Sequence, residues 1–181
     1  SDLNLFRTVF FLPNLIGGIV LSYIWLMIFN SVLSNFSKTI VSTQWYAFWG
    51  MIIVVCWQQI GYMMIIYIAG IQNIPGELIE AAKIDGANSW QLLRYVTLPM
   101  LSGAIMINLV FGITYGLKVF DIVYVLTNGG PGHATEVLTT YAFQLYSRGQ
   151  YGMSSALNTV LLVITAIIGV FIVKTLSKQE V

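Results

Sequence analysis

Few side chains in this sequence can do chemistry, and most of them interrupt long apolar runs. Lys118 and Asp121 stand three residues apart in the run from Leu101 to Leu126. An ionisable group at membrane depth is costly and is a functional residue by default, whereas two opposite charges three apart on a helix can neutralise each other. Both readings are open for this pair: coupling charges, or an internal pair near the end of a span that reaches interfacial water. Gln58, Gln59 and Tyr62 interrupt an earlier run, and Asn108 and Tyr115 lie in the same run as the two charges. Amides and phenols in hydrocarbon are penalised unless hydrogen-bonded. Each therefore bonds a neighbouring helix or faces a polar cavity, and such groups beside aromatic faces are the chemistry that binds polyhydroxylated solutes.

Acid–base, nucleophilic and metal chemistry find little footing. His133 is the single histidine, and it has no second ligand nearby in the sequence. Neither His-Glu-x-x-His nor Gly-x-Ser-x-Gly occurs. Gly129-Gly130-Pro131-Gly132 lacks the Gly-Lys-Ser/Thr ending that cradles phosphates, so it reads as a turn. An intramembrane enzyme is the weakest reading, and no catalytic residue, cofactor or metal is expected.

The elements that position these residues are set by composition. The 181 residues are 57% hydrophobic and 8% charged, against about 25% charged in ordinary soluble chains. That is the balance of an all-α, polytopic membrane bundle. A net charge of +1 offers no clustered basic surface for nucleic acid. The lone Cys56 lies in an apolar run and reads as a packing residue. A spanning helix needs about 20 apolar residues, and four segments qualify: residues 6–29, 47–71, 101–126 and 154–176. Pro13 falls inside the first, or marks where that span begins after a surface-lying stretch. Trp45, Tyr46 and Trp49 form an interfacial belt at the entrance to the second. Gly112 and Gly116 make a small-xxx-small step suited to close packing of the third. Asn158 and Thr159 are polar positions in the fourth.

Between the second and third spans lies residues 73–100, the longest stretch that is not membrane-grade. Pro75 suits a first helical turn, Leu78, Ile79, Ala82 and Ile84 recur at helical spacing, and Gly86 supplies a left-handed stop. Asn88 with Gln91 predicts a capping box for a second short helix. The expectation is helix, glycine turn, helix, on one face of a membrane. With this segment inside, Arg7, Lys83, Arg94, Lys174 and Lys178 face the cytoplasm against Lys38 and Arg148 outside, as the positive-inside rule favours.

Glu80-Ala81-Ala82, Asp85-Gly86-Ala87 and Leu98-Pro99 resemble the EAA loop of ATP-binding-cassette importer permeases, most closely the sugar-uptake branch with the maltose and glycerol-phosphate permeases. The flanks are similar too: Ala69-Gly70-Ile71-Gln72-Asn73-Ile74-Pro75 before the loop, then Phe120-Asp121, Leu126-Thr127-Asn128-Gly129-Gly130-Pro131 and Thr135 after it. The likeness runs from about Arg7 to the C-terminus. It departs at residues 30–46, which lack the Gly-Leu/Ile-Asn pattern of that branch.

The resemblance implies a type I (MetI-like) permease core in a bacterial or archaeal cell membrane, with further spans before residue 1. It implies no catalytic site of its own. Glu80, Ala81, Ala82, Asp85, Gly86, Leu98 and Pro99 would couple to a cytoplasmic ATPase dimer. Tyr62 and Tyr115, with neighbours Gln58, Gln59, Lys118 and Asp121, would approach a midplane substrate cavity. A second permease subunit and an extracytoplasmic solute-binding protein complete the expected partners, the latter meeting the Gly129–Gly132 turn. The rival reading is an ion-coupled secondary transporter or channel subunit using Lys118 and Asp121.

Overall fold

Hydrocarbon leaves a backbone no water to bond, so a chain of this composition satisfies its amides within helices. The computed structural model describes residues 2–176, with side chains from Leu5 to Thr175, and Lys178 lies outside the described residues. All regular elements among the described residues are helical: α1 (Asp2–Leu15), α2 (Gly18–Ser34), α3 (Gln44–Gln72), α4 (Gly76–Ile84), α5 (Ser89–Leu92), a π-helical segment (Leu93–Thr97), α6 (Leu98–Met100), α7 (Ser102–Lys118), α8 (Asp121–Leu126), α9 (Leu138–Ser147) and α10 (Tyr151–Leu176). Two compact units are present among the described residues, 2–62 with 115–165, and 63–114 with 166–176.

Two of the four predicted spans are single long apolar helices, α3 and α10. The other two are broken. In place of one helix over 6–29 there are α1 and α2, bent by 100°. The helix runs through Pro13 and stops two residues later, and Gly17 takes an extended conformation before α2. The consecutive glycines Gly17 and Gly18 are the local weakness. The fit is completed from elsewhere, because a Cβ on Gly18 would run into the Asp121 carboxylate. The span predicted over 101–126 ends at Lys118, and the chain turns at Val119 and Phe120 before α8. At the break, the Val119 carbonyl accepts a hydrogen bond from the Thr139 hydroxyl.

The first unit packs α2, α3 and α8 around Leu21, Val54, Ile122 and Leu126, with Trp25, Phe29 and Met51 closing on them. Trp25 meets Trp57 edge-on at 5.3 Å, and Phe120, Tyr124 and Phe143 form a second aromatic cluster. Gly61 on α3 makes possible the close approach of α1, whose Phe10 carbonyl occupies the place of a side chain. In the second unit, Gly70 lies against Leu101 and Ala104, and Gly112 against the Met63 methyl. Gly116, the other half of the predicted glycine step, faces open space. Cys56, expected to pack, is exposed on α3, where the solvent would be lipid. Asn158 and Thr159 turn their polar atoms back onto α10, donating to Ser154 O and Ser155 O.

These contrasts make a stability prediction. Gly61→Val should lower the melting temperature in detergent through overpacking of about 1–3 kcal/mol, whereas Gly116→Ala should leave it within experimental error. Equal losses at both positions would contradict the close approach at Gly61.

Candidate coupling elbow and polar interior

Short helices of four to nine residues do not hold their shape alone, so the elbow at 73–100 depends on its ends. Pro75 stands one residue before α4, with φ −58° and ψ 129°, and the helix begins at Gly76. At the far end Gly86 has φ +79°. Its amide donates to Lys83 O at 3.1 Å, and the Ala87 amide to Ala82 O at 3.0 Å. This is a Schellman closure, and it satisfies the last carbonyls of α4. The next helix is gripped at once by a reciprocal box. The Gln91 amide donates to Asn88 Oδ1 and the Asn88 amide to Gln91 Oε1, both at 2.9 Å. Caps of this kind are worth about 1 kcal/mol each. Two within nine residues turn a marginal pair of helices into a defined elbow.

The elbow's outer surface is unusually apolar for exposed structure. Ile84 is 86% exposed, Tyr95 71% and Trp90 69%, while Glu80, Ala81 and Asp85 are also exposed and Ala82 is half-buried. Leu98 and Pro99 open the return toward α7 and are exposed. The bend there is 67°. Trp90 and Tyr95 did not stand out in sequence; it is their exposure that marks a surface suited to being covered. The π-helical turn at Leu93–Thr97 had no sequence signal at all.

Inside the first unit the expected polar residues separate into two groups. Gln58 and Tyr115 come together, the Tyr115 hydroxyl donating to Gln58 Oε1 at 2.9 Å. Gln59 is buried beside them in sequence, and its Oε1 has no protein partner among the described residues. Tyr62, one turn on from Gln58 and Gln59 in α3, is half-buried. In the second unit, Asn108 of α7 donates to Met63 O of α3 at 3.4 Å and leaves its own Oδ1 buried and unbonded among the described residues.

Lys118 and Asp121 do not pair. Among the described residues they form no ion pair, because the helix breaks between them and cancels the three-residue spacing. Lys118 is the exposed last residue of α7, and Asp121 the half-buried first residue of α8. Each charge therefore complements the dipole of its own helix, and Asp121 lies against the start of α2 as well.

The Leu126–Pro131 motif forms a bonded turn. The Asn128 amide donates to Val123 O at 2.8 Å, and the Thr135 hydroxyl donates to Gly130 O at 2.7 Å, lying 2.8 Å from the Thr127 hydroxyl. The Gly130–Pro131 peptide is cis. His133, exposed as expected, meets Glu136 at 2.9 Å.

Residues 3–179 match the family described as binding-protein-dependent transport system inner membrane component. The probable starch degradation products transport system permease protein AmyD of Thermoanaerobacterium thermosulfurigenes is 41% identical over 98% of this chain and 64% of that protein. The trehalose/maltose transport system permease protein MalF of Thermococcus litoralis is 33% identical, over 84% of this chain and 55% of its own length. A bacterial ABC transporter involved in the import of the acidic polysaccharide alginate has a chain that superposes with a TM-score of 0.82 at 23% identity, over 97% of this chain and 65% of that one; at that identity the likeness speaks for the fold. This chain spans about three fifths of the length of most of the curated relatives it matches. By the extent of the family match and the identity to these relatives, this all-helical chain belongs to the binding-protein-dependent transport system inner membrane component family.

Proposed function

We propose that this chain forms the core of a sugar permease subunit in a binding-protein-dependent ABC importer. ATP hydrolysis takes place on a separate cytoplasmic ATPase pair. The observation that carries this reading is the doubly capped elbow, with Glu80, Ile84 and Trp90 exposed on it. An apolar ridge with a carboxylate fits a groove on an ATPase better than an anionic lipid surface, since the elbow carries Glu77, Glu80 and Asp85 against Lys83 and Arg94. As the groove closes on ATP, the elbow moves as one body. Its ends run directly into α3 and α7, so the movement reorients the helices that carry the polar residues.

In this reading Glu80 pairs with a basic group of the ATPase, and Ala81 and Ala82 permit close approach. Gly86 sets the turn, Asp85 precedes it, and Leu98–Pro99 connect the elbow to α7. The elbow and the C-terminus lie in the cytoplasm. The turn at Asn128–His133 faces outward, toward a solute-binding protein, and a second permease subunit completes the pathway. Gln58, Gln59, Tyr62 and Tyr115 line the solute route, with Gln59 Oε1 a buried acceptor that has no protein partner among the described residues. The names of the relatives, which refer to starch degradation products and to trehalose and maltose, make a maltooligosaccharide the first solute to test. Lys118 and Asp121 act at helix ends rather than as an internal pair, and it is the family match that disfavours the ion-coupled alternative.

Two outcomes follow for the assembled transporter in vesicles. Glu80→Lys should lower ATP-dependent maltose uptake at least about tenfold, the scale of losing one partner of a desolvated charge pair, while membrane insertion is unchanged. Uptake at the native rate would remove the coupling role. Tyr115→Phe should strand Gln58 Oε1 and reduce both stability and uptake, by about 1–3 kcal/mol in stability. Adding Gln58→Leu should restore melting temperature but not uptake; recovery of both would reduce the pair to packing.

A further inference from the structure

The hairpin of α2 and α3 carries a groove that the transport reading does not use. Its volume is about 330 Å³, and its walls are Phe29, Leu33, Ile40, Trp45, Trp49 and Ile53. Ile40 folds inward against Gly50 and forms the floor. The Ile40 amide donates to Asn30 Oδ1, which holds the connecting loop over the hairpin. The mouth is aromatic. Trp45 and Trp49 stack edge-to-face at 5.4 Å and are 67% and 44% exposed. Tryptophans so placed mark the interface between hydrocarbon and headgroups.

One cation stands at this mouth. The Lys38 ammonium donates to the Tyr46 hydroxyl at 3.2 Å and lies 5.3 Å from the centre of that same ring, so Tyr46 positions it. Tyr46 is itself a wall of the groove. From Leu3 to Gly76 the sequence contains neither Asp nor Glu, and among the described residues Lys38 enters no ion pair. A fixed positive charge above an apolar slot, at headgroup depth, has the complement of one molecule: an acyl chain below a phosphate that carries net negative charge.

We propose that the α2–α3 groove binds an anionic phospholipid, one acyl chain lying along Phe29, Leu33 and Ile53 and the phosphate meeting Lys38 beside Tyr46. The lipid covers the exposed Trp45–Trp49 pair and offsets the Lys38 charge. The hairpin end is thereby held at a set depth in the bilayer. Zwitterionic lipid has the same chains but no net charge for Lys38 to select.

The test uses the purified transporter in vesicles of phosphatidylcholine with phosphatidylglycerol, one of the two brominated on its acyl chains, and tryptophan fluorescence as the readout. Brominated phosphatidylglycerol should quench more than brominated phosphatidylcholine at equal mole fraction. The preference should be about fivefold in association, as expected for one lysine at a membrane surface. Lys38→Gln should abolish the preference without changing quenching by phosphatidylcholine, and Lys38→Arg should retain it. Equal quenching by the two lipids in the native protein would overturn the proposal, as would a preference that survives Lys38→Gln. A groove covered by another helix or by a neighbouring subunit would appear as the first of these. Because the readout needs only insertion in a bilayer, it does not depend on whether the protein transports sugar.

Discussion

A backbone amide left unpaired in hydrocarbon costs several kcal/mol, and that constraint decides where this chain can bend. Several of the bends come with a substitute partner. The break after Lys118 is met by the Thr139 hydroxyl on the Val119 carbonyl. The turn after α8 is met by bonds to Val123 O and Gly130 O. The elbow uses both devices available to helix ends, a left-handed glycine closure and a side-chain box, within nine residues. The result is a set of long stiff helices interrupted at a few defined places. In such a chain, motion is confined to those places, and a push on one segment is carried along the helices joined to it.

The same constraint governs the polar interior. Gln58, Gln59 and Asn108 are each buried, and only some of their polar atoms find protein partners. Complete mutual bonding would suit a static bundle. Gln59 and Asn108, one in each unit, each keep a buried acceptor without a protein partner among the described residues. Lys118 and Asp121 belong to another kind of problem. Their charges sit where helix ends expose unpaired carbonyls and amides, so they stabilise the break between α7 and α8.

Much of this was legible in the residues. The elbow could be read almost bond by bond, because Gly86, Asn88 and Gln91 act through local rules of spacing and backbone angle. The long helices α3 and α10 followed from unbroken apolar length. The breaks at Gly17 and at Val119 could not be read in the same way. The break at Gly17 lies between apolar flanks, so hydropathy runs straight across it, whereas Lys118 and Asp121 beside the second break read equally well as a pair on one helix; the groups that lie against the two breaks, Asp121 and Thr139, are distant in sequence. The missed aromatics of the elbow, Trp90 and Tyr95, failed for a different reason: exposure belongs to tertiary structure, and a tryptophan in a short helix looks the same whether it is buried or waiting for a partner. The Gly112–Gly116 step was half right for that reason too, since only Gly112 has a neighbouring helix atom against it.

The central claim is that the elbow projects into the cell and seats on a nucleotide-hydrolysing neighbour. Ile84, the most exposed large hydrophobic residue of the elbow at 86%, can be replaced by cysteine once Cys56, the one cysteine in this sequence, has been changed to serine. A membrane-impermeant maleimide is then applied to inverted vesicles and to intact spheroplasts, with and without the ATPase subunits assembled. Labelling confined to inverted vesicles, and suppressed when the ATPase is bound, is the predicted result. Labelling from the outer face, or labelling indifferent to the ATPase, would contradict the account.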